Sequence, residues 1–424
     1  MSETYLSQFA TLGKSSIVPQ HHPLEQFYYY SMPNFDMGKK LEVVLGGSIE
    51  SNKFLSLSDT VLIAKLNPRI PRVWLVRNDG RFRSVSSTEF VNLLPNESCD
   101  PEYLYYFLQS GDVSRRLESE AVGTTNSHVR FKPDLLLRLP VHFPDRNIQK
   151  KIARILTTLD NLIEKTEALI AKYQSIKQGM THDLFTRGVD RSGKLRPPQE
   201  EAPHLYKQSP LGWIPNEWEV KCVSDIAENI TSGSRGWAAY YSKTGPIFVR
   251  IANLTREHIN FRWNNIQRVS PPSNSEGNRT RLQAGDVLVS VTADLGIIAV
   301  VPEHFEEAYI NQHIALVRPR EGSISPRWLG RALASKAGAE QFERLNDSGA
   351  KAGLNLPTVG SLLFPAPSKT EQDKITEKLD KIEENISIEQ TSLAKYRNTK
   401  SGLMQDLLTG NVRVKGDKAG EVER

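Results

Sequence analysis

The chain has 424 residues, 38% of them hydrophobic and 24% charged, with a formal net charge of +5 and a pI of about 8.9. These values suit a soluble globular protein of two or three domains, and the charge is compatible with nucleic acid without requiring it. Cys99 and Cys222 are too few for a disulfide framework or a zinc site and point to a reducing, cytoplasmic setting. No charged-then-apolar leader and no apolar run of about 18 residues asks for export or membrane insertion.

In chain order, β-rich stretches come first, at Val61–Lys65 and Arg72–Arg77, with a strand-like segment at Thr88–Leu94. Pro101-Glu-Tyr-Leu-Tyr-Tyr-Phe-Leu-Gln-Ser110 begins as a helix does, with Pro in its first turn. A Gly-containing loop, Gly123–Arg130, and a short apolar strand ending in Pro144 lead to a long helix. Asp190–Gln208 is polar, Pro-rich and without apolar periodicity, and reads as a linker. The order then repeats: β-rich stretches at Val287–Val291 and Ile297–Val301, joined through Asp294-Leu-Gly296, and a strand at Asn311–Val317. A helix follows from Pro326-Arg-Trp-Leu-Gly-Arg-Ala-Leu-Ala-Ser335, then the loop Gly349–Asn355, a strand ending in Pro367, and a second long helix.

The long helices are the clearest part of the repeat. Residues 149–189 recur without a gap 223 positions later as 372–412. The first apolar skeleton runs Ile152, Leu156, Leu159, Ile163, Ile170, Tyr173, Leu184; the second runs Ile375, Leu379, Ile382, Ile386, Leu393, Tyr396, Leu403, Leu407. Polar interruptions fall at matched places, Thr166 and Lys177 against Glu389 and Lys400. Steps of four and three make a heptad seam, which needs a partner, and the simplest partner for each copy is the other. At about 1.5 Å per residue each rod is roughly 55 Å long. The expected fold is α+β: two tandem α/β globules separated by two long helices in an antiparallel coiled coil, a pseudo-two-fold internal repeat. The globules share a skeleton but differ in surface residues, as two modules doing one kind of job on different targets would.

No catalytic constellation is present. Leu12-Gly-Lys-Ser15 has Gln8 where a phosphate loop needs its first Gly, and Gly46-Gly47 lacks the third glycine and preceding strand of a dinucleotide fingerprint. Pro197-Pro198 and Pro271-Pro272 stand in the wrong context for an amino-methyltransferase motif, and the nine histidines show no metal-ligand spacing. The reading is therefore not an enzyme, with no cofactor or metal in this chain.

Several motifs, in this order, resemble the specificity (S, HsdS) subunits of type I restriction–modification systems. Ser209-Pro-Leu-Gly-Trp-Ile-Pro-Asn-Glu-Trp-Glu-Val220 resembles the start of that family's second target-recognition domain. Ala308-Tyr-Ile-Asn-Gln-His-Ile-Ala-Leu-Val317 and Gly349-Ala-Lys-Ala-Gly-Leu-Asn-Leu356 are similar to its later landmarks. Tyr30-Ser31, Lys65-Leu-Asn-Pro-Arg69, Ser87-Thr-Glu-Phe90 and Thr125-Asn-Ser-His128 resemble one version of the first. Pro367…Glu371-Gln372 and Pro144…Ile148-Gln149 resemble the lead-in to its helical regions, the first copy lacking the Glu. The resemblance implies target-recognition domains at 1–145 and 209–367, spacer helices at 146–189 and 368–412, a linker at 190–208 and a polar tail at 413–424.

It further implies a non-catalytic reader of a bipartite, gapped DNA site. Two methyltransferase (M) subunits would bring S-adenosylmethionine, and two restriction (R) subunits ATP and Mg. On that basis Asn67, Arg69 and Arg72 in the first half, and Ser234, Arg235, Arg250 and Asn253 in the second, are candidates for base edges. The alternatives are a surface turn with a buried Trp at 232–237 and a structural role at 250–253. Ser127, His128 and Arg130, with Lys351 and Asn355, are candidates for phosphate contact or plain solvation. A heptad added to one rod is expected to change the gap but not the half-sites. Rival readings are a fused methyltransferase or nuclease, and a coiled-coil adapter that touches no DNA.

Overall fold

The computed structural model describes residues 4–123, 129–233, 235–271, 275–347 and 353–414. The chain divides into two compact units, Met1–Ala168 with Thr391–Arg424, and Leu169–Gln390. Each unit holds one globule and one end of each long helix.

In the first unit, a four-stranded antiparallel sheet runs in the order Ala10–Gly13, Phe90–Pro95, Val61–Ala64, Val73–Leu75. Val61–Ala64 is buried on both faces, which is why it reads as an unbroken apolar run rather than an alternation. Val61 and Ile63 pack with Leu104 and Leu108 of the helix Pro101–Leu108. Leu62 and Ala64 face the other way, with Tyr30, Trp74 and Phe90. Tyr30 ends a strand, Gln26–Tyr30, of a second sheet ordered Ser16–Ile17, Lys53–Leu55, Arg83–Ser87, Gln26–Tyr30, Glu42–Leu45. The Pro101 helix starts as its sequence expects: Asp100 accepts the Tyr103 amide at 3.0 Å, with Pro in the first turn.

The second unit repeats this plan. Its four-stranded sheet has the same order, Ala227–Ser232, Ile314–Pro319, Val287–Ser290, Ile298–Val300. Val287 and Val289 pack with Trp328, Leu329 and Leu333 of the helix Pro326–Ala334, while Leu288 faces Val249 and Ile310. Its second sheet has three strands, Gln267–Val269, Tyr241–Val249 and Ala308–Ile310. In both units the second sheet contains one parallel pair, 26–30 with 83–87 and 241–249 with 308–310.

The long helices span Arg146–Thr186 and Lys369–Leu408. Each is stapled to its own globule by a buried glutamine. Gln149 accepts the Asp100 amide at 2.8 Å and donates to the Pro144 carbonyl at 2.8 Å. Gln372 does the same with Ser325 (2.9 Å) and Pro367 (2.8 Å). Asp100 and Ser325 are the N-caps of the short helices, so one amide joins the entering chain, the cap and the rod. That entering chain is a strand at Leu363–Ala366, but 141–145, expected to be one, is irregular.

Of the seam residues, Ile152, Leu156, Ile170, Leu184, Ile375, Leu379, Ile382 and Leu407 are buried; Leu159, Ile163, Tyr173, Ile386, Leu393, Tyr396 and Leu403 are half-buried. The helices run antiparallel in each unit. In the first, Lys400 pairs with Asp160 at 2.5 Å and Arg397 with Glu167 at 2.6 Å. In the second, Lys177 pairs with Glu383 at 2.6 Å. The lysine interruptions of the seam are thus ion pairs across it. Glu383 also accepts two N–H groups of Arg331, which is only 5% exposed. Burial pushes the Glu383 carboxyl up, but hydrogen bonds and charge from Arg331 and Lys177 outweigh it and hold the group below the usual carboxylate range.

A carboxylate held low stabilises the fold fully above its unfolded value of 4.5, and that contribution is lost as pH falls through the lower folded value. Glu383→Gln is expected to cost about 1.5–3 kcal/mol at neutral pH and to flatten the acid limb of stability. Arg331 keeps Asp380 but loses the charge on its other partner, and Lys177 loses its only carboxylate among the described residues. Urea unfolding of both chains from about pH 7 to pH 3 checks both statements.

The Pro-rich segment read as a linker is held against its neighbours. Arg196 binds Glu371 at 2.5 Å and Glu217 at 2.9 Å, and residues 206–209 pair with Gly212–Pro215. Glu371 also accepts the Val189 amide at 2.8 Å and the Trp218 indole N–H at 3.1 Å. Gly188 lies beneath this knot at φ +62°, where a Cβ would meet Glu371 Oε1 at 2.3 Å and Trp218 at 2.4 Å. The first copy has no such knot to tie. There Ile148 packs against the apolar cluster of Leu407 and Leu408.

Candidate nucleic-acid interface

The same backbone frame closes one end of the four-stranded sheet in each unit. In the first, the Lys65 amide donates to the Glu89 carbonyl (2.9 Å) and the Phe131 amide to the Lys65 carbonyl (3.3 Å). In the second, the Val291 amide donates to the His313 carbonyl (3.0 Å) and the Leu354 amide to the Val291 carbonyl (2.9 Å). Two residues past each central anchor the chain turns through a left-handed residue, Asn67 (φ 51°) and Ala293 (φ 60°). Asn tolerates this backbone better than Ala does. The frame is common to both units, and the side chains on it are not.

On the first frame, Glu89 grips Arg130 through Nε (3.1 Å) and Nη2 (3.5 Å). The Asn67 amide donates to the Val129 carbonyl at 2.8 Å, which brings 67–69 beside Val129 and Arg130. Arg69 is exposed and has no partner among the described residues, whereas Arg72 is held by Asp36 at 2.8 Å. Ser127 and His128 lie outside the described residues.

On the second frame, His313 is held between Thr292 Oγ1 (2.6 Å at Nδ1) and Gln312 Nε2 (2.9 Å at Nε2). A string of backbone contacts carries the rim onward. A Cβ on Gly233 would meet the Asn311 backbone at 2.2 Å, and the Asn311 amide donates to the Val249 carbonyl at 3.2 Å, next to Arg250. The Gly233 close approach is therefore to the protein's own strand. Trp237 is buried, stacked on Phe248 with centroids 5.3 Å apart, as in the buried-Trp alternative, and Arg235 nearby is exposed.

Asn253 is 1% exposed and spends its whole amide on backbone: Oδ1 accepts from Arg250 N, while Nδ2 donates to the Arg262 and Asn265 carbonyls. These bonds engage both ends of the amide inside the fold, in line with the structural alternative. Arg250 is half-buried, with Nη2 donating to Asn265 Oδ1 at 3.2 Å and Nε buried without a partner. Asn355 caps the short helix Leu356–Gly360 through the Thr358 amide at 2.8 Å. Ser234 and Lys351 lie outside the described residues.

Thr292 was not singled out from the sequence, and Glu89, Gln312 and His313 entered only inside longer motifs, not as site candidates. Laying the two halves over each other at the strands that begin with Phe90 and Ile314 would have exposed Glu89 and His313 as a divergent pair. Among the described residues, no group of three or more His, Cys, Asp or Glu could hold a metal ion, and no helix is long and apolar enough to cross a membrane.

Two sheet-and-helix globules on a shared frame, each feeding a long helix that meets the other, define a tandem target-recognition architecture. The sequence profile described as Type I restriction modification DNA specificity domain matches residues 23–173 and 215–395, well over half the chain. The chain belongs to this family: it is a DNA specificity subunit of a type I restriction–modification system, a non-catalytic component.

It is 25% identical over 412 residues to the type I restriction enzyme MjaVIII specificity subunit of Methanocaldococcus jannaschii, covering 95% of this chain and 90% of that one. It is 22% identical over 407 residues to the HindI specificity subunit of Haemophilus influenzae, covering 83% and 86%. The crystal structure of the type I S subunit from M. genitalium shares the fold at a TM-score of 0.60 and 16% identity, over 98% of this chain and 96% of that one.

Proposed function

We propose that each globule reads one half of a bipartite DNA site through the rim described above, and that the paired helices set the gap between the halves. The observation that carries this reading is the repeated backbone frame with unlike side chains: one scaffold, two chemistries. Residues 1–145 and 209–367 are the two readers in this scheme. Arg69 and Arg235, exposed and free of ion pairs among the described residues, supply phosphate or guanine contacts. Arg130, its Nε edge clamped by Glu89, keeps its far end for an acceptor pair.

The partners in this proposal are two M subunits, which hold S-adenosylmethionine, and two R subunits, which use ATP and Mg. Ile155 and Leu162, both exposed and one heptad apart on the first helix, form an apolar strip suited to an M subunit.

Methylome sequencing of a methylation-free host tests the proposal. Co-expression of this chain with its methyltransferase partner is expected to yield a single asymmetric, gapped motif that neither protein gives alone. A contiguous or palindromic motif, or none from a complex that purifies intact, would overturn it.

A further inference from the structure

We infer that Lys400 with Asp160, and Lys177 with Glu383, fix the register of the two long helices, and so determine the spacing of the recognised site rather than its bases. This rests on the paired half-site reading above.

An apolar heptad seam is nearly indifferent to a slide of seven residues, because apolar still meets apolar. A lysine in the seam is not indifferent. In the first unit Lys400 lies against Asp160, and in the second Lys177 lies against Glu383. A one-heptad slide in one direction would bring Lys400 to Glu167 but Lys177 to Gln390. A slide in the other direction would bring them to Ala153 and Thr376. Only the observed register gives both lysines a carboxylate.

The acids are also held in place by their own globules, at equivalent positions. Asp160 accepts the Tyr106 hydroxyl at 2.7 Å, and that hydroxyl also meets Thr157 Oγ1 at 3.1 Å. Glu383 accepts Arg331 at 2.7 and 3.1 Å, and Arg331 reaches Asp380 as well. Tyr106 and Arg331 each stand on the short helix that covers their globule's sheet. A lysine from one helix is thus received at a point defined by the globule that the opposite helix serves. Seam contact and globule position are read together.

The first pair offers the cleaner test, since Glu383 is shared with Arg331. Glu167→Cys and Arg397→Cys, at a 2.6 Å ion pair, report register through a short thiol cross-linker. Cys222 is replaced by Ser. Cys99 stays, being buried, with its thiol pushed up to about 12 by burial and by Asp100.

In the complex with the methyltransferase partner, Asp160→Lys alone and Lys400→Asp alone are each expected to cut cross-linking about ten-fold. Each is also expected to spread methylation onto altered gaps or abolish it. The double exchange, and Lys400→Arg, are expected to restore both signals. Single reversals that cross-link like the parent and keep one native gap overturn the inference, as does an exchange that restores neither signal. Absence of any bipartite methylation from the parent would sink the half-site reading instead, while cross-linking still reports the register.

Discussion

Exchange of residues 209–367 for the corresponding segment of another specificity subunit is expected to replace one half-site completely and to leave the other half-site and the gap unchanged. The effect is all-or-none because each globule closes its own sheets and its own rim. The graft must still meet the helices it inherits. Trp218 gives its indole N–H to Glu371, Trp328 stacks on Phe185 at 4.7 Å, and Arg331 joins Glu383 to Asp380. A donor segment with unlike residues at these places is expected to give an unfolded second unit rather than a new half-site. Methylome sequencing separates the outcomes: one half-site changed supports two independent readers, and both changed would refute them.

The second large effect concerns the rods. Seven residues inserted after Ala168 together with seven after Gln390 are expected to lengthen the tolerated gap, with both half-sites kept. Each insertion adds about 10 Å of helix. The sequence alone suggested that a heptad in one rod would do. The ion pairs require both insertions. Asp160 and Lys177 are separated by the same number of residues as Glu383 and Lys400, and antiparallel helices keep both pairs only if the two intervals stay equal. A single insertion strands one lysine and is expected to lower the yield of methylating complex severalfold. A paired insertion that leaves the methylated gap unchanged would remove the helices as its determinant.

Three strands of each central sheet and the rods were legible because their patterns are strong. Val61–Ala64 and Val287–Ser290 are unbroken apolar runs, and the rods repeat at a fixed offset. The edge strands Ala10–Gly13 and Ala227–Ser232 went unread, Leu12–Gly13 having read as part of a plain loop. The second sheets went unread. Ser16–Ile17, Lys53–Leu55 and Gln267–Val269 are only two or three residues long, and Gln26–Tyr30 is an aromatic run without alternation. The last strands of the central sheets in chain order were read early by two or three residues. They begin at Phe90 and Ile314, because Thr88-Glu89 and Gln312-His313 turn between sheets.

At the rim, position was legible and engagement was not. No pattern in the sequence says that Asn253 spends its amide on backbone or that Arg72 is held by Asp36. Those partners lie in other turns of the fold. The polar breaks in the seam were visible, but their acids sit one residue off it, at Asp160 and Glu383, where the heptad pattern assigns solvent.

The division of the chain also bears on how it is made. The second unit is one continuous stretch, Leu169–Gln390, whereas the first needs Thr391–Arg424 to complete it. Tyr103, Tyr106, Ile152 and Leu156 share a cluster with Leu407 and Leu408. During synthesis, then, the globule translated first is the last to be finished, and its apolar flank stays open until residues near 408 leave the ribosome. The nascent chain must carry an uncovered seam through more than half of its own translation, a period in which a chaperone or a neighbouring nascent chain has access to it.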